Sequence, residues 1–373
     1  VNAPTVAEAR GVDVLESKRQ EAADYASLIS TKVLTQEGTH VIEGTVFGEG
    51  DPRNSSSPVG VFAHDIDVAF ATFTEKEAQP GAQKRKFTTL KAHAAEVGIV
   101  GFGDVFTASF KNIDIMYNNT AKDRYNLFET WIDFEKSFKA GSGKPAGLAI
   151  ATGGTPVYLD MSSTIMAVGV GLAEIKVSEF LHLRGSFAFT KGARMTVDMD
   201  LGGFKQIINS IGGAITGSEL DVQSLPIQVE ALTLGGSNLT GFVGVGGPYR
   251  YGDDLNLDGL PDMINEGAVG LVIDAVDFGL GIFTPPALNF LPESLKQYIP
   301  KFITVKAYVG YAGLVGIDED ILTVKAQEIS VNINTFYWPL PGPLGAAVNV
   351  ALQIFGPPTI NYQTSFPNSP EDK

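Results

Sequence analysis

Apolar and polar residues alternate with a period of two along most of this chain, the signature of half-buried β-strands. In FTASFKNIDIMYN the alternation puts Phe106, Ala108 and Phe110, then Ile113, Ile115 and Tyr117, on one face. LTVKAQEISVNIN, at 322–334, has the same texture. IKVSEFLHLRGSFAFTKG and VEALTLGGSNLTGFVGVGG share a grammar of apolar strand, glycine, second apolar strand and glycine turn. Glycine suits bends and bulges where a Cβ would clash. Helical periodicity is sparse and confined to 7–28, 204–211 and 291–298, the last after Pro285 and Pro286. The pattern predicts an all-β chain with few short helices.

The pattern also recurs. VGVFAHDIDVAFATF at 59–73 is echoed by VGLVIDAVDFGLGIF at 269–283, and FTTLKAHAAEVGIVG at 87–101 by FITVKAYVGYAGLVG at 302–316. LTQEG at Leu34 returns as LTLGG at Leu232, and Asp104 as Asp320. The offsets rise in order along the chain, as expected of one unit that gained loop insertions. The expected organisation is a lead-in at 1–20, a first β unit at 21–218 and a second, truncated unit at 219–373. The second contains a candidate calcium loop at 253–266. Two architectures fit: an elongated β-solenoid and a tandem of β-sandwich domains. Sandwich domains are nearer ~100 residues, and a unit twice that size favours the solenoid-like reading.

Composition narrows the function. The chain has 373 residues, 44% of them apolar and 18% charged, as in folded proteins. Its net charge of −15 argues against nucleic acid and anionic membranes as partners, which need basic patches. There is no cysteine, so disulfides, thiolate nucleophiles and Cys-ligated zinc are excluded. No uninterrupted apolar run reaches the ~18–20 residues of a membrane-spanning helix.

The strongest chemical motif is DLNLDGLPD. Calcium takes six to eight hard oxygens, and side chains at alternate loop positions converge when the backbone coils around the ion. Asp254, Asn256 and Asp258 are the candidate ligands at positions 1, 3 and 5, with Gly259 as the turn. Leu260 offers its carbonyl and Asp262 a further carboxylate. At position 12, where an EF-hand has a bidentate Glu, Asn265 stands, and no flanking helix is evident. The competing reading is a solvated acidic turn, which is also the reading for Asp318-Glu319-Asp320.

Other chemistry is thin. His40, His64, His93 and His182 have no metal-ligand spacing, and there is no GxSxG elbow. Gly244-Val-Gly-Gly-Pro reads as a turn and not as a dinucleotide fingerprint. Asp67 and Asp277 occupy one repeat position and are expected to accept backbone amides; paired carboxylates of that kind are the remaining route to catalysis. Trp131 and Trp338, in aromatic clusters, are expected to be mostly buried, with sugar stacking as the alternative. Asn54, Asn118 and Asn238 head N-x-S/T sequons.

DxNxDGxxD resembles the short calcium loops of dockerins, thrombospondin type 3 repeats and VCBS repeats. GLVIDAVDFGLGIF, TVKAYVGYAGLVGIDEDILTVKAQEISVNIN and LRGSFAFTKG resemble the repeat regions of very large bacterial surface and adhesin-like proteins. The resemblance implies an extracellular or cell-surface structural and adhesive filament module, stiffened by calcium, with no catalytic residue. A carbohydrate-binding module and a β-helix polysaccharide-degrading enzyme are the alternatives. Expected partners are neighbouring repeat units or identical subunits, with surface glycans a further possibility. No nucleic acid and no membrane insertion are expected.

Overall fold

The structure is a computed structural model. It describes residues 29–35, 38–44, 60–76, 84–103, 105–119, 121–122, 129–141, 143–203, 205, 209, 224–286, 298–318 and 320–367. The segments expected to be helical at 7–28 and 291–298, most of 204–211, and Asn54 lie outside or almost outside these residues.

Strands dominate, as the alternation predicts. They are β1 (Ile29–Thr35), β2 (Gly38–Gly44), β3 (Gly60–Thr74), β4 (Lys86–Val100), β5 (Phe106–Asn118), β6 (Ala121–Lys122) and β7 (Glu129–Thr130). There follow β8 (Leu148–Ile150), β9 (Val157–Leu159), β10 (Ile165–Val177), β11 (Leu181–Asp200) and β12 (Ser224–Val245). The last are β13 (Arg250–Tyr251), β14 (Met263–Ile264), β15 (Val269–Thr284), β16 (Lys301–Val315), β17 (Lys325–Tyr337) and β18 (Thr359–Ile360). Helices are short at Phe134–Ser137 and Tyr362–Ser365. A longer one, Gly342–Phe355, starts behind Pro341 and was not visible in the apolar periodicity. None of the described helices is long and apolar enough to cross a membrane.

The chain divides into two compact units, 1–60 and 61–373. In the first, β1 and β2 form an antiparallel hairpin. In the second, nine long strands lie in one antiparallel sheet of order β17-β16-β15-β12-β11-β10-β5-β4-β3, with β18 added beside β11. The sheet is open and antiparallel, so the solenoid-like expectation is corrected. A solenoid stacks coils in parallel, whereas each strand here turns back on its predecessor, which glycine turns permit.

The repeat reappears as register. Ala94 faces Ile113, Glu96 faces Lys111 and Thr89 faces Asn118 in β4–β5. The counterparts Val309–Ile329, Tyr311–Gln327 and Thr304–Asn334 face one another in β16–β17. A one-residue slip would send every side chain to the wrong face, so paired registers are a stringent match.

A crease crosses this sheet. The ladder is interrupted at one level in every pairing from β4 to β17, at Asn112 opposite Gly171, at Gly185, at Asn238 and at Ala275 opposite Gly310 and Glu328. Asp65, Asn112, Asn238, Ala275 and Glu328 all have φ between 50° and 53°. Positive φ is costly outside glycine, and bulges leave one residue unpaired while bending the strand. The bulge also resets parity in β15: Val272 and Asp274 are buried before it, Gly281 and Phe283 after it.

The core is three local clusters. Phe134, Leu159 and Met161 pack on Ala69 beneath the segment between β5 and β10. Val197, Val229, Phe283, Phe302 and Ile360 form a second cluster, capped by residues 359–366. Phe242, Ala268 and Val272 form the third, at the base of the acidic loop.

Candidate metal-binding loop

The acidic loop leaves β12 through the Gly247–Pro248 peptide and returns to β15 through a two-residue ribbon. Arg250 pairs with Ile264 and Tyr251 with Met263, so 252–262 is closed at its neck. Asn265 fastens that neck, donating through Nδ2 to the carbonyls of Gly246 (2.7 Å) and Pro248 (3.1 Å). This explains why no bidentate Glu stands at position 12: the residue there holds the backbone.

Inside the loop the backbone coils around its own side chains. Leu257 and Gly259 have φ of 61° and 91°. Asp254 accepts the amides of Asp258 (3.1 Å) and Gly259 (2.8 Å), and Asn256 accepts that of Asp258 (2.9 Å). Asp258 accepts from Leu260 at 2.9 Å, and Asp262 from Leu255 at 2.7 Å. Asn256 Nδ2 donates to Asp258 Oδ2 at 3.0 Å. Asp254 and Asn256 therefore converge on the Asp258 amide, with the Asp258 carboxylate beside the Asn256 amide. Leu260 is buried and anchors the chain there, while Leu255 and Leu257 stand 80% and 86% exposed.

These residues fit calcium in donor type and backbone path, since each offers hard oxygens. Their oxygens are held by the loop's own amides, and among the described residues no three His, Asp or Glu side chains converge as a metal group. Carboxylates fixed in this way by backbone amides keep their second lone pairs available.

The loop is pinned to the crease by two arginines. Arg184 of β11 donates to the Gly259 carbonyl (2.9 Å) and pairs with Glu174 of β10 (3.1 Å). Arg250 donates to the Pro261 carbonyl (3.0 Å) and to Asp274 of β15 (2.6 Å). Asp274 is 4% exposed and also accepts from Thr240 Oγ1 at 2.7 Å. Gly259 lies against the Asn238 side chain, which a Cβ would overlap. Gly259 is thus required twice, for its φ and for its neighbour.

Asp274 and its partners were not singled out from the sequence. The available signal was an acid inside the apolar run VGLVIDAVDF. Asp277, the acid chosen instead, is exposed and accepts the Asn238 amide at 2.9 Å, a structural task as expected, although the amide is not a glycine's. In the first repeat copy the position of Asp274 is His64, which touches Glu96 (3.4 Å) and Asp65 (3.2 Å). Glu96 is 7% exposed and accepts from Ser109 at 2.8 Å.

The remaining candidates have structural surroundings. His93 pairs with Asp114 at 2.9 Å. His182 sits against Phe242, and burial, aided by Lys176, pushes its pKa down. Trp131 and Trp338 are 41% and 36% exposed, not buried, and each donates its indole N–H to a backbone carbonyl, of Ser162 and Tyr298. Asn118 is fully buried and donates to the Ile132 and Ser163 carbonyls, so it is no glycan acceptor. Asp320 donates its amide to Asp318 at 3.0 Å, an acidic turn closed on itself. Gly244 lies inside β12 and pairs with Gly270 of β15, so that run opens no helix.

Beside the loop neck is a cavity of about 210 Å³ lined by Tyr249, Asn265, Ala268, Tyr311, Val315 and Thr323 among others. Pockets for drug-sized ligands run to about 300–1,000 Å³, so this one suits a small solute. Burial first, then neighbouring Tyr311 and Asp274, pushes the Tyr249 phenol up.

The fold and loop define an antiparallel β-sheet protein carrying an acidic loop clamped over a crease. A family model for the D-3-phosphoglycerate dehydrogenase intervening domain matches residues 1–55. No curated protein and no solved structure matches. This likeness, confined to residues 1–55, contradicts what the adhesin resemblance implied. The reading as a surface-protein repeat with a dockerin-like loop is set aside, as are the adhesive filament, the glycan-binding and polysaccharide-degrading alternatives, the exclusion of an enzyme, and the extracellular placement. The physical reason is that strand alternation and glycine spacing report a sheet in any compartment. They carry no information about secretion or chemistry. The matched span includes residues 1–20, the lead-in outside both repeat copies.

Proposed function

We propose that this chain is a β-sheet domain accompanying a metabolic enzyme of the D-3-phosphoglycerate dehydrogenase kind, and that its loop at 253–266 binds calcium. The observation carrying the reading is the join between loop and sheet: Arg184 and Arg250 tie the loop carbonyls to β10, β11 and β15. An ion held by Asp254, Asn256, Asp258, Asp262 and the Leu260 carbonyl would stiffen that join. The association with dehydrogenase chemistry is supported by the similarity of residues 1–55 alone. Calcium would supply charge neutralisation and rigidity, and the chain's own residues would hold the loop over the crease.

The test has two arms on the full chain. Calorimetric titration with calcium is expected to give one saturable site that Asp258→Ala removes. Oxidation of D-3-phosphoglycerate is then followed with and without the chain added to such a dehydrogenase. Heat only of dilution would refute the calcium site, and unchanged turnover would refute the enzyme association.

A further inference from the structure

We infer that His182 is a proton-operated latch on the neck of the acidic loop: a proton taken up by its ring parts Gly247 from the turn between β10 and β11. The consequence for calcium rests on the loop being the ion site proposed above, while the latch itself does not.

The neck crosses that turn on its way into the loop. Gly247 donates its amide to the Glu179 carbonyl at 3.0 Å. The ring of His182 donates to the same carbonyl, so one oxygen, with its two lone pairs, holds the neck and the imidazole together. His182 Nε2 is buried and has no hydrogen-bond partner. The donor is therefore Nδ1, and Nε2 presents a bare lone pair. His182 faces Phe242 of β12 across the ladder, with ring centroids 6.1 Å apart. Gly247 lies against both rings, beside the His182 Cδ2 that neighbours Nε2, and a Cβ there would overlap them.

A second proton has to go on Nε2. In the closed neck that N–H meets no acceptor, and a buried donor without one is costly, more so when charged. The charged groups around the ring do not offset this. Lys176 of β10 stands directly opposite, and Arg184 lies two residues along β11 on the same face. Glu179, in the turn, has its side chain exposed. From β12 and the neck the residues against the ring are Phe242 and Gly247, which do not titrate. Burial first, then Lys176, holds the His182 pKa down, against the Glu179 carbonyl.

The neck is the part that yields. His182 is fixed in ladders to Lys176 on one side and Phe242 on the other, whereas the β12–β15 ladder ends at Val245. Moving Gly247 lets water reach Nε2. The disturbance then reaches the ion loop through Asn265, which ties the carbonyls of Gly246 and Pro248 on either side of Gly247. The closed neck holds fewer protons than the open one, so acid opens it as pH falls below the ordinary histidine value, and an ion that needs the closed neck is bound less well.

The test is amide exchange of the calcium-free full chain, followed by NMR at pH 7.5 and 5.5 and corrected for intrinsic rates. Crossing the ordinary histidine value near ~6.5 with one proton should raise the opening constant at Gly247 about tenfold, with β16 amides little changed. His182→Asn, which keeps a donor for Glu179 and cannot titrate, should abolish the rise, and so should His182→Phe. Independently of any variant, imidazole NMR should find the Nδ1–H tautomer at pH 7.5. The inference is overturned by the Nε2–H tautomer, by no rise at Gly247, by an equal rise in His182→Asn, or by a rise spread evenly over β16. Excess calcium should suppress the opening at both pH values, and not in Asp258→Ala. Calcium without effect on a neck that still opens with acid would support the latch and sink the calcium site alone.

Discussion

Arg250→Ala removes the guanidinium that joins the loop to Asp274, and its cost follows from what stays behind. Asp274 has a side chain 5% exposed, and Arg250 one 22% exposed. After truncation the carboxylate keeps Thr240 as its hydroxyl partner, and the Pro261 carbonyl loses its donor. Breaking a buried pair by removing one partner costs about 3–5 kcal/mol. Because Arg250 stood partly in water, the lower end applies, about 3 kcal/mol, or roughly two decades in the folding constant. Asp274→Asn keeps the shape and the Thr240 contact and leaves an arginine that reaches solvent. Its expected cost is smaller, about 1–2 kcal/mol. Replacing both by apolar residues, Arg250→Met with Asp274→Leu, should recover most of the loss. Urea denaturation of the four proteins measures each number. A cost below about 1 kcal/mol for Arg250→Ala, or a larger cost for Asp274→Asn, would refute the assignment of the buried charge to Asp274.

Leu257→Gly should stabilise the chain by about 1 kcal/mol in thermal melts, because an exposed leucine gives up positive φ and little packing. Gly244→Ala, whose Cβ would overlap the Val269 carbonyl, should cost about 1–3 kcal/mol, while Gly279→Ala, with open space, should gain up to about 1 kcal/mol; equal effects would show that the tight β12–β15 contact is relaxed in solution. Calcium at a hundred times its dissociation constant should raise stability by about 2.7 kcal/mol, and Asp258→Ala should abolish that rise. Since burial depresses the His182 pKa, the unfolded chain takes up its proton first as pH falls below the ordinary histidine value. Stability should therefore drop on acidification through that window, and the drop should shrink in His182→Phe, read by denaturation at stepped pH.

The sequence did well wherever the signal was local. Alternation in 106–118 and 322–334 became β5 and most of β17, and the paired blocks became paired registers. The loop's left-handed turn at Gly259 follows from a residue that tolerates it. The helix Gly342–Phe355 was missed because its residues are small or apolar almost throughout, with no polar face to mark the period. The crease was missed because Asp65, Asn112, Ala275 and Glu328 share a backbone conformation and no residue type. The adhesin reading failed because it took function from texture, and the match to residues 1–55 lay elsewhere.

By itself the sequence determined the β character, the doubled strand set and the acidic loop, since each depends on neighbours a few residues apart. Tertiary structure decided that the long strands form one open antiparallel sheet that ends at β17 and β3, with Arg184 and Arg250 as the clamps. Arg184 reaches Gly259 across 75 residues and Thr240 reaches Asp274 across 34. Through Arg184 the loop touches β10 and β11 of the first repeat copy, and through Arg250 it touches β15 of the second. Such contacts arise from which strands pair, and pairing is chosen by registry over the whole sheet, not by any local run of residues.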